Sequence, residues 1–320
     1  MHRRRTLPLI HRALLPLIAV MALSGVLPLA HAADMIPVRV VYVPVATWLP
    51  AWVAFDKGLF AKNGLQVTFT QVQNTGILPG TVGKQFDLAP TTATDLLHAA
   101  ASGLDVVGVA GETVDLSSNQ TVQIMVRADS NIKSAKGLEG KRIATPSLGA
   151  VMHVATLNWM KMHKADPGTL VPVEVPFPAM MDQLKAGRVD AVEALQPFVG
   201  QMRAAGYKAL GDPLLSVGDP VLFPFWMAQG QWARTHRDVI EKWIASLTEA
   251  AQYIKTNDRD ARTILAKYTH LPAPIAEKVP LPTYRFALAP KQLEVWLKVL
   301  QSQGTMKQPL DVDKLVVTAK

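Results

Sequence analysis

Residues 38–72 read VRVVYVPVATWLPAWVAFDKGLFAKNGLQVTFTQV. Branched apolar residues crowd positions 38–43, apolar residues recur at helical spacing over 48–56, and Gly58 stands where such a helix would stop. Positions 65–72 then alternate Val and Phe with polar side chains, as a strand with one buried face does. The stretch is a strand–helix–strand unit, and the chain beyond it continues in kind. A strand at 86–89 leads into a helix at 94–102, followed by strands at 106–110 and 121–127. The pattern restarts with strands at 142–145, 171–175 and 191–195 and helices at 151–163 and 179–186. The predicted fold class is α/β, two units in series with mostly parallel sheets. The last third is helical. Val239, Trp243, Leu247, Ala251 and Ile254 share one face of a helix over 237–255, and further helices are expected at 258–268 and 290–303. Such faces need a surface to cover, so the chain is expected to return along 221–228 and lay these helices on the first unit.

Upstream, Arg3, Arg4 and Arg5 precede an apolar run over residues 13–29 that closes on Ala30-His31-Ala32. This is the pattern of a secretory signal peptide, with cleavage expected near Ala32 and a mature chain working outside the cytoplasm. A membrane anchor fits less well, because Pro16 and Pro28 interrupt a run only marginally long enough for a span of about 20 residues. There is no cysteine, which rules out both disulfides and a lipid anchor at the cut. The chain carries 33 Lys and Arg against 25 Asp and Glu; without Arg3, Arg4, Arg5 and Arg12 the balance is 29 against 25, or +4. No basic block reads as a nucleic-acid footprint, and a weak positive field favours a small anion.

Catalytic signals are weak. Residues 76–85 resemble a phosphate loop, but no glycine stands five residues before Gly83, and Gln85 occupies the place of the magnesium-binding hydroxyl. There is no Gly-x-Ser-x-Gly elbow, and His98, His153, His163, His236 and His270 show no chelating pair, so neither a catalytic residue nor a metal or cofactor is expected. Asp190 and Glu193, three apart on a strand, fall on opposite faces. Two junctions stand out instead. Residues 89–95 (APTTATD) and 145–151 (TPSLGAV) each end a strand and open a helix with small hydroxyl or glycine residues. Free N–H groups and the helix dipole make such junctions anion sites, although plain N-capping explains either one alone. Open α/β sheets bind ligands at the carboxyl ends of their strands, which favours the pair.

Residues 54–67 (AFDKGLFAKNGLQV), with the aromatic-bearing loop Thr47-Trp48-Leu49-Pro50 before them, closely resemble the opening of the nitrate/sulfonate/taurine-type substrate-binding proteins of ABC importers. The resemblance continues through residues 125–127 (MVR), 134–144 (SAKGLEGKRIA) and 184–191 (LKAGRVDA) and covers nearly all of the mature chain. It implies a two-lobed type II periplasmic-binding-protein fold with two hinge crossings and a ligand cleft between the lobes. Lobe one would be residues 35–122 with 229–320, lobe two 129–218, and the crossings 123–128 and 219–228. It also implies a monomeric periplasmic protein that captures a small-molecule ligand by lobe closure and delivers it to an ABC transporter permease, with no catalysis. Matching the family's cleft positions are Trp48 and Leu49; Thr91, Thr92 and Thr94; Ser147, Gly149, Ala150 and Val151; Glu193 and Gln196; and Phe223 and Phe225. Where many relatives carry Trp, an acid and Pro, this chain has Leu195-Gln196-Pro197. A neutral amide there argues against a ligand ammonium and for a small organic anion, an alkanesulfonate or an aromatic carboxylate, unless Glu193 faces the cleft and replaces the charge. The alternatives are a pyrimidine-type or other heterocyclic vitamin precursor and, behind these, a secreted enzyme on the same scaffold.

Overall fold

The computed structural model describes residues 35–72 and 76–319; the expected signal peptide, residues 1–32, lies outside them. Strand β1 (Ile36–Tyr42) ends in a one-turn 3-10 helix (Ala46–Trp48) that runs into α1 (Leu49–Asp56). Pro50 sits in the first turn of α1, where its missing N–H costs nothing. Gly58, at φ +69°, turns the chain from α1 into α2 (Leu59–Lys62), and β2 (Leu65–Gln71) then pairs parallel to β1 with Val38 opposite Val67. Next come β3 (Ala89–Thr91), α3 (Ala93–Ala101), β4 (Val106–Gly111) and β5 (Thr113–Asp115).

The central part holds β6 (Val122–Val126), β7 (Arg142–Thr145), α4 (Val151–Met162), β8 (Val171–Glu174) and α5 (Phe177–Lys185). It closes with β9 (Ala191–Leu195), α6 (Phe198–Ala204) and β10 (Lys208–Gly211). The chain then returns through β11 (Val221–Leu222) and β12 (Phe225–Gln229) to α7 (Gly230–Thr235), α8 (Arg237–Thr256) and α9 (Asp258–Thr269). Short α10 (Ala273–Ala276) and β13 (Thr283–Tyr284) precede α11 (Pro290–Ser302). Among the described residues no helix is long and apolar enough to cross a membrane.

The sheets are mixed rather than mostly parallel. The central sheet has the order β10-β6-β9-β7-β8, with β7 parallel to β8 and β9 but β6 antiparallel to β9 and β10. Strand β12 enters between β3 and β4 and pairs antiparallel to both. A strand that brings the chain back runs against the strands that took it away, and this accounts for the antiparallel pairs of β12. The first strand of the α3 unit also sits later than expected, at Ala89–Thr91 rather than 86–89. Residues 123–126, expected in the first crossing, belong to β6 inside the central sheet. The chain enters that sheet from β5 and leaves it toward β11, and these two strands pair with β13 in a small sheet of order β11-β5-β13.

Packing follows the period-2 rule. On the central sheet Ile124, Val126, Ile143 and Ala191 meet Trp159 and Met160 of α4 on one face, while Met125, Val192 and Ala194 meet Met180, Leu184 and Val199 on the other. The larger core gathers β1, β3, β4 and β12 under the terminal helices. In α8 the buried Val239, Trp243, Leu247, Ala251 and Ile254 form the expected stripe. Gly111, at the end of β4, donates its N–H to Phe286 O at 2.9 Å, and a Cβ there would collide with the carbonyl oxygens of Arg285 and Ala287. Because those neighbours are backbone, Gly111→Ala is expected to cost about 1–3 kcal/mol in urea unfolding; an unchanged midpoint would show that the β4 edge has room to move.

Candidate functional site

The carboxyl ends of β1, β3, β7, β8 and β9 converge on one cavity of about 580 Å³, counting its open mouth. The segment after β1 contributes Val43, Val45, Thr47 and Trp48, and the β3–α3 junction contributes Pro90, Thr91, Thr92 and Asp95. Across from them, the β7–α4 junction supplies Pro146, Ser147, Ala150, Val151 and Met152. Phe177 at the start of α5, Leu195 at the end of β9, and Phe223 with Pro224 on the returning chain complete the wall.

Trp48 is not in a loop as expected but ends the 3-10 helix, 2 % exposed, with its ring 4.7 Å from that of Trp226 at an angle of 62°. Trp226 in turn packs edge-on against Trp243 at 5.0 Å, and Trp243 stacks on Phe60 at 4.6 Å. The wall of the cavity is therefore the end of an aromatic column that reaches α8. Trp226 Nε1–H donates to Glu112 Oε2 at 2.5 Å, and burial pushes the Glu112 pKa well up against the opposing effect of that bond.

Of the residues expected at the site, Trp48, Thr91, Thr92, Ser147, Ala150, Val151 and Phe223 line the cavity. Leu49 is fully buried in α1 and Thr94 fully buried in α3. Gly149, at φ +74°, donates its N–H to His153 Nδ1 at 3.0 Å. Phe225 packs in the sheet, close to Gly108. Glu193 is fully buried beneath Leu195; burial pushes its pKa up to about 7, and the hydroxyls of Thr145 and Thr156 hold it partly back. Gln196 uses its Oε1 on Gly200 N–H at 3.2 Å, and its backbone oxygen accepts Ala46 N–H at 3.1 Å. None of these six is among the cavity's lining residues: five are buried behind the wall, and Gly149 is exposed beside it.

Asp95 and Phe177 were not among the expected residues. The spacing Thr92-x-x-Asp95 at a helix start is a capping-box signature that could have located the first. The dipeptide Phe177-Pro178 just after β8 is a strand-to-helix junction like the two that were singled out. The two helix starts differ in charge. In α3, Thr92 Oγ1 accepts Asp95 N–H at 3.4 Å and donates to Asp95 Oδ2 at 2.8 Å, so that start already holds a carboxylate. The N-cap of α4 is Ala150, and among the described residues no side-chain cap bond closes that start. His153 in its first turn accepts from Gly149, and burial lowers its pKa, which keeps the ring neutral.

The sequence model of the NMT1/THI5-like family matches residues 46–261, most of the described chain. The chain belongs to the NMT1/THI5-like family. A curated relative of this family member is a putative ABC transporter periplasmic binding protein of Brachyspira hyodysenteriae, 23 % identical over 256 residues, covering 75 % of this chain and 72 % of the relative. Among solved structures, the alkanesulfonate-binding protein SsuA of Xanthomonas axonopodis pv. citri bound to MOPS superposes with a TM-score of 0.76 at 18 % identity, over 90 % of this chain and all of that one. The periplasmic nitrate-binding protein NrtA of Synechocystis PCC 6803 gives 0.74 at 13 % identity, over 88 % and 86 %. The NMT1/THI5-like chain thus has the periplasmic-binding-protein fold.

Proposed function

We propose that the protein is the solute-binding component of an ABC importer, working on the outer side of the cytoplasmic membrane. It closes two α/β lobes on a small organic solute and passes it unchanged to the permease. The convergence of five strand ends and the starts of α3, α4 and α5 on one apolar cavity carries this reading, since open α/β sheets take ligands there. Family membership and the fold support it. The lobes lie close to residues 35–122 with 229–320 and 129–218, hinged about the small β11-β5-β13 sheet. Trp48, Phe177 and Phe223 offer stacking surface to an organic body, which disfavours a bare inorganic ion.

Two classes of solute then compete. The uncapped start of α4, beside Ser147, favours the alkanesulfonate or carboxylate class, and the SsuA relative was solved bound to a sulfonate buffer. Against it, no Lys, Arg or His among the described residues lines the cavity. A thermal-shift screen of the chain from Met35 onward against alkanesulfonates, taurine, nitrate, aromatic carboxylates and pyrimidines tests the reading. One class should raise the melting temperature saturably, on the order of 5 °C at a hundredfold excess over Kd. If no solute does so, or if a bound solute is converted rather than recovered intact, the binding-protein reading fails.

A further inference from the structure

Two buried carboxyl groups stand where the chain enters and leaves the central sheet. Asp115 ends β5, before the chain goes in, and Asp212 follows β10, as it comes out. Each commits one oxygen to its own segment. Asp115 Oδ1 accepts the Thr121 N–H at 2.9 Å and the Thr121 hydroxyl at 2.6 Å, and Asp212 Oδ1 accepts Leu214 N–H at 2.9 Å. The second oxygens, Asp115 Oδ2 and Asp212 Oδ2, are buried and accept from no donor, while the two side chains lie within hydrogen-bonding reach of each other. Two carboxylates so placed cannot both ionise, so the contact holds a proton. Burial and the Asp115 carboxyl push the Asp212 pKa up to about 9.

No cation offsets the pair: among the described residues neither acid enters a salt bridge. Around it, β6 brings the neutral Gln123, bonded to Gln120, and α4 brings Asn158, bonded to Ser216. The titratable groups of the neighbouring elements are engaged elsewhere. Asp219 is exposed and accepts Ser117 N–H, Lys208 of β10 donates to Ala128 O, and Glu193 of β9 meets Thr145 and Thr156. Glu112, before β5, accepts from Trp226, and Tyr284 of β13 feels the Glu112 charge. Strand β11 already pairs with β5, Val221 opposite Asp115, so the carboxyl contact is a second link between the same two crossings.

We propose, on the two-lobe reading given above, that Asp115 and Asp212 form a proton-held pin of the hinge. The shared proton ties the outgoing and returning crossings into one axis; its loss in alkali sets two like charges against each other and lets the lobes spread. Closure then depends on a proton held outside the cleft.

The chain has no cysteine, so Lys298→Cys on α11 and Lys136→Cys in lobe two, both at exposed positions, give a clean pair of spin-label sites across the lobes. The inter-lobe distance distribution should be narrow at pH 7, broaden and move to longer distance at pH 10, and return on acidification. Asp212→Asn, whose amide donates to Asp115 Oδ2 at either pH while its oxygen still serves Leu214, should keep the pH 7 distribution at pH 10. Glu112 and Glu193 titrate in that variant as well, so a shift that survives in it arises elsewhere and overturns the pin. An unaltered hinge whose distribution is the same at both pH values overturns it too. Should Asp212→Asn fail to fold, Asp115→Asn, which puts the amide on the other side of the same contact, is read in the same way. The thermal-shift screen, run at pH 7, judges solute binding separately. A solute response without a pH-dependent distance ends the pin and leaves the binding reading, and a pH-dependent distance without a solute response does the reverse.

Discussion

Trp226→Ala is expected to lower the unfolding free energy by about 4 kcal/mol, more than most single substitutions in this chain could. Trp226 is fully buried, packs against Trp48 and Trp243, and is the donor to the buried Glu112. Truncation opens a cavity and breaks two aromatic contacts, each worth about 0.5–1.5 kcal/mol beyond area burial. It also strands Glu112, at a further cost of about 1–3 kcal/mol. Trp226→Phe separates these effects: it keeps most of the volume, loses the N–H, and should cost about half as much. Urea unfolding reads the stability and solute titration reads the cleft, whose Trp48 wall leans on this ring. A loss below about 1 kcal/mol for Trp226→Ala would mean that the column does not support the wall. The same contacts change what to expect of Trp48. Read as a loop residue, Trp48→Ala should weaken binding and spare the free protein; seen at 2 % exposure against Trp226, it should do both kinds of damage, and Trp48→Phe is the cleaner probe of binding.

Stability should fall as pH rises from neutrality toward 9, and Asp212→Asn should flatten that slope. Asp212 follows β10 in the link to β11, is 5 % exposed, and has its pKa pushed up to about 9 by burial and by the neighbouring Asp115 carboxyl, against the N–H groups of Leu214 and Leu215. In the folded chain it holds a proton that the unfolded chain has released, so the folded state binds more protons between the ordinary carboxylate range and pH 9. Stability is then greatest on the acid side and declines with rising pH, by at most about 1.4 kcal/mol per pH unit for each such proton. Glu193, raised to about 7, and Glu112, which burial holds well above the ordinary carboxylate value, act in the same sense. His98 and His153 act in the opposite one, because burial lowers their pKa values, but only below about 6.5, where the unfolded imidazole gains its proton. Urea midpoints at pH 7, 8 and 9 therefore read the acids alone. Asp212→Asn keeps a donor toward Asp115 and should gain roughly 1 kcal/mol or more at pH 8; a midpoint that rises with pH in the unaltered protein would sink the assignment.

The local elements were legible where one period dominates. The α8 stripe and the strands at 142–145 and 191–195 follow from the sequence pattern, whereas α1 is buried continuously from Leu49 to Ala54 with no single apolar face, and Gly58 marks its turn because only its backbone takes φ +69° cheaply. Strand partners were not legible: nothing in residues 225–229 states that they pair with both 89–91 and 106–111. The short β5, β11 and β13 carry too few residues to show a period. At the cleft the misses are of one or two residues. Thr94 is buried where Asp95 faces the cavity, Phe225 packs inside where Phe223 lines the wall, and Glu193 lies one pleat below Leu195. A junction can be found from composition, but which of its residues points at the ligand depends on where helix or pleat begins, and a shift of one residue moves a side chain to another face.

The place of β12 between β3 and β4 has a consequence for the order of assembly. A chain that emerges amino end first has all strands of the central sheet, β6 through β10, before β12 exists, so that sheet can form early from contacts within residues 122–211. Strands β3 and β4 meanwhile wait with bare edges for Phe225–Gln229, the segment that joins them. Open edges of that kind invite pairing with other chains. The half of the molecule made first is thus the half finished last, and its exposure to aggregation lasts as long as the synthesis of everything in between.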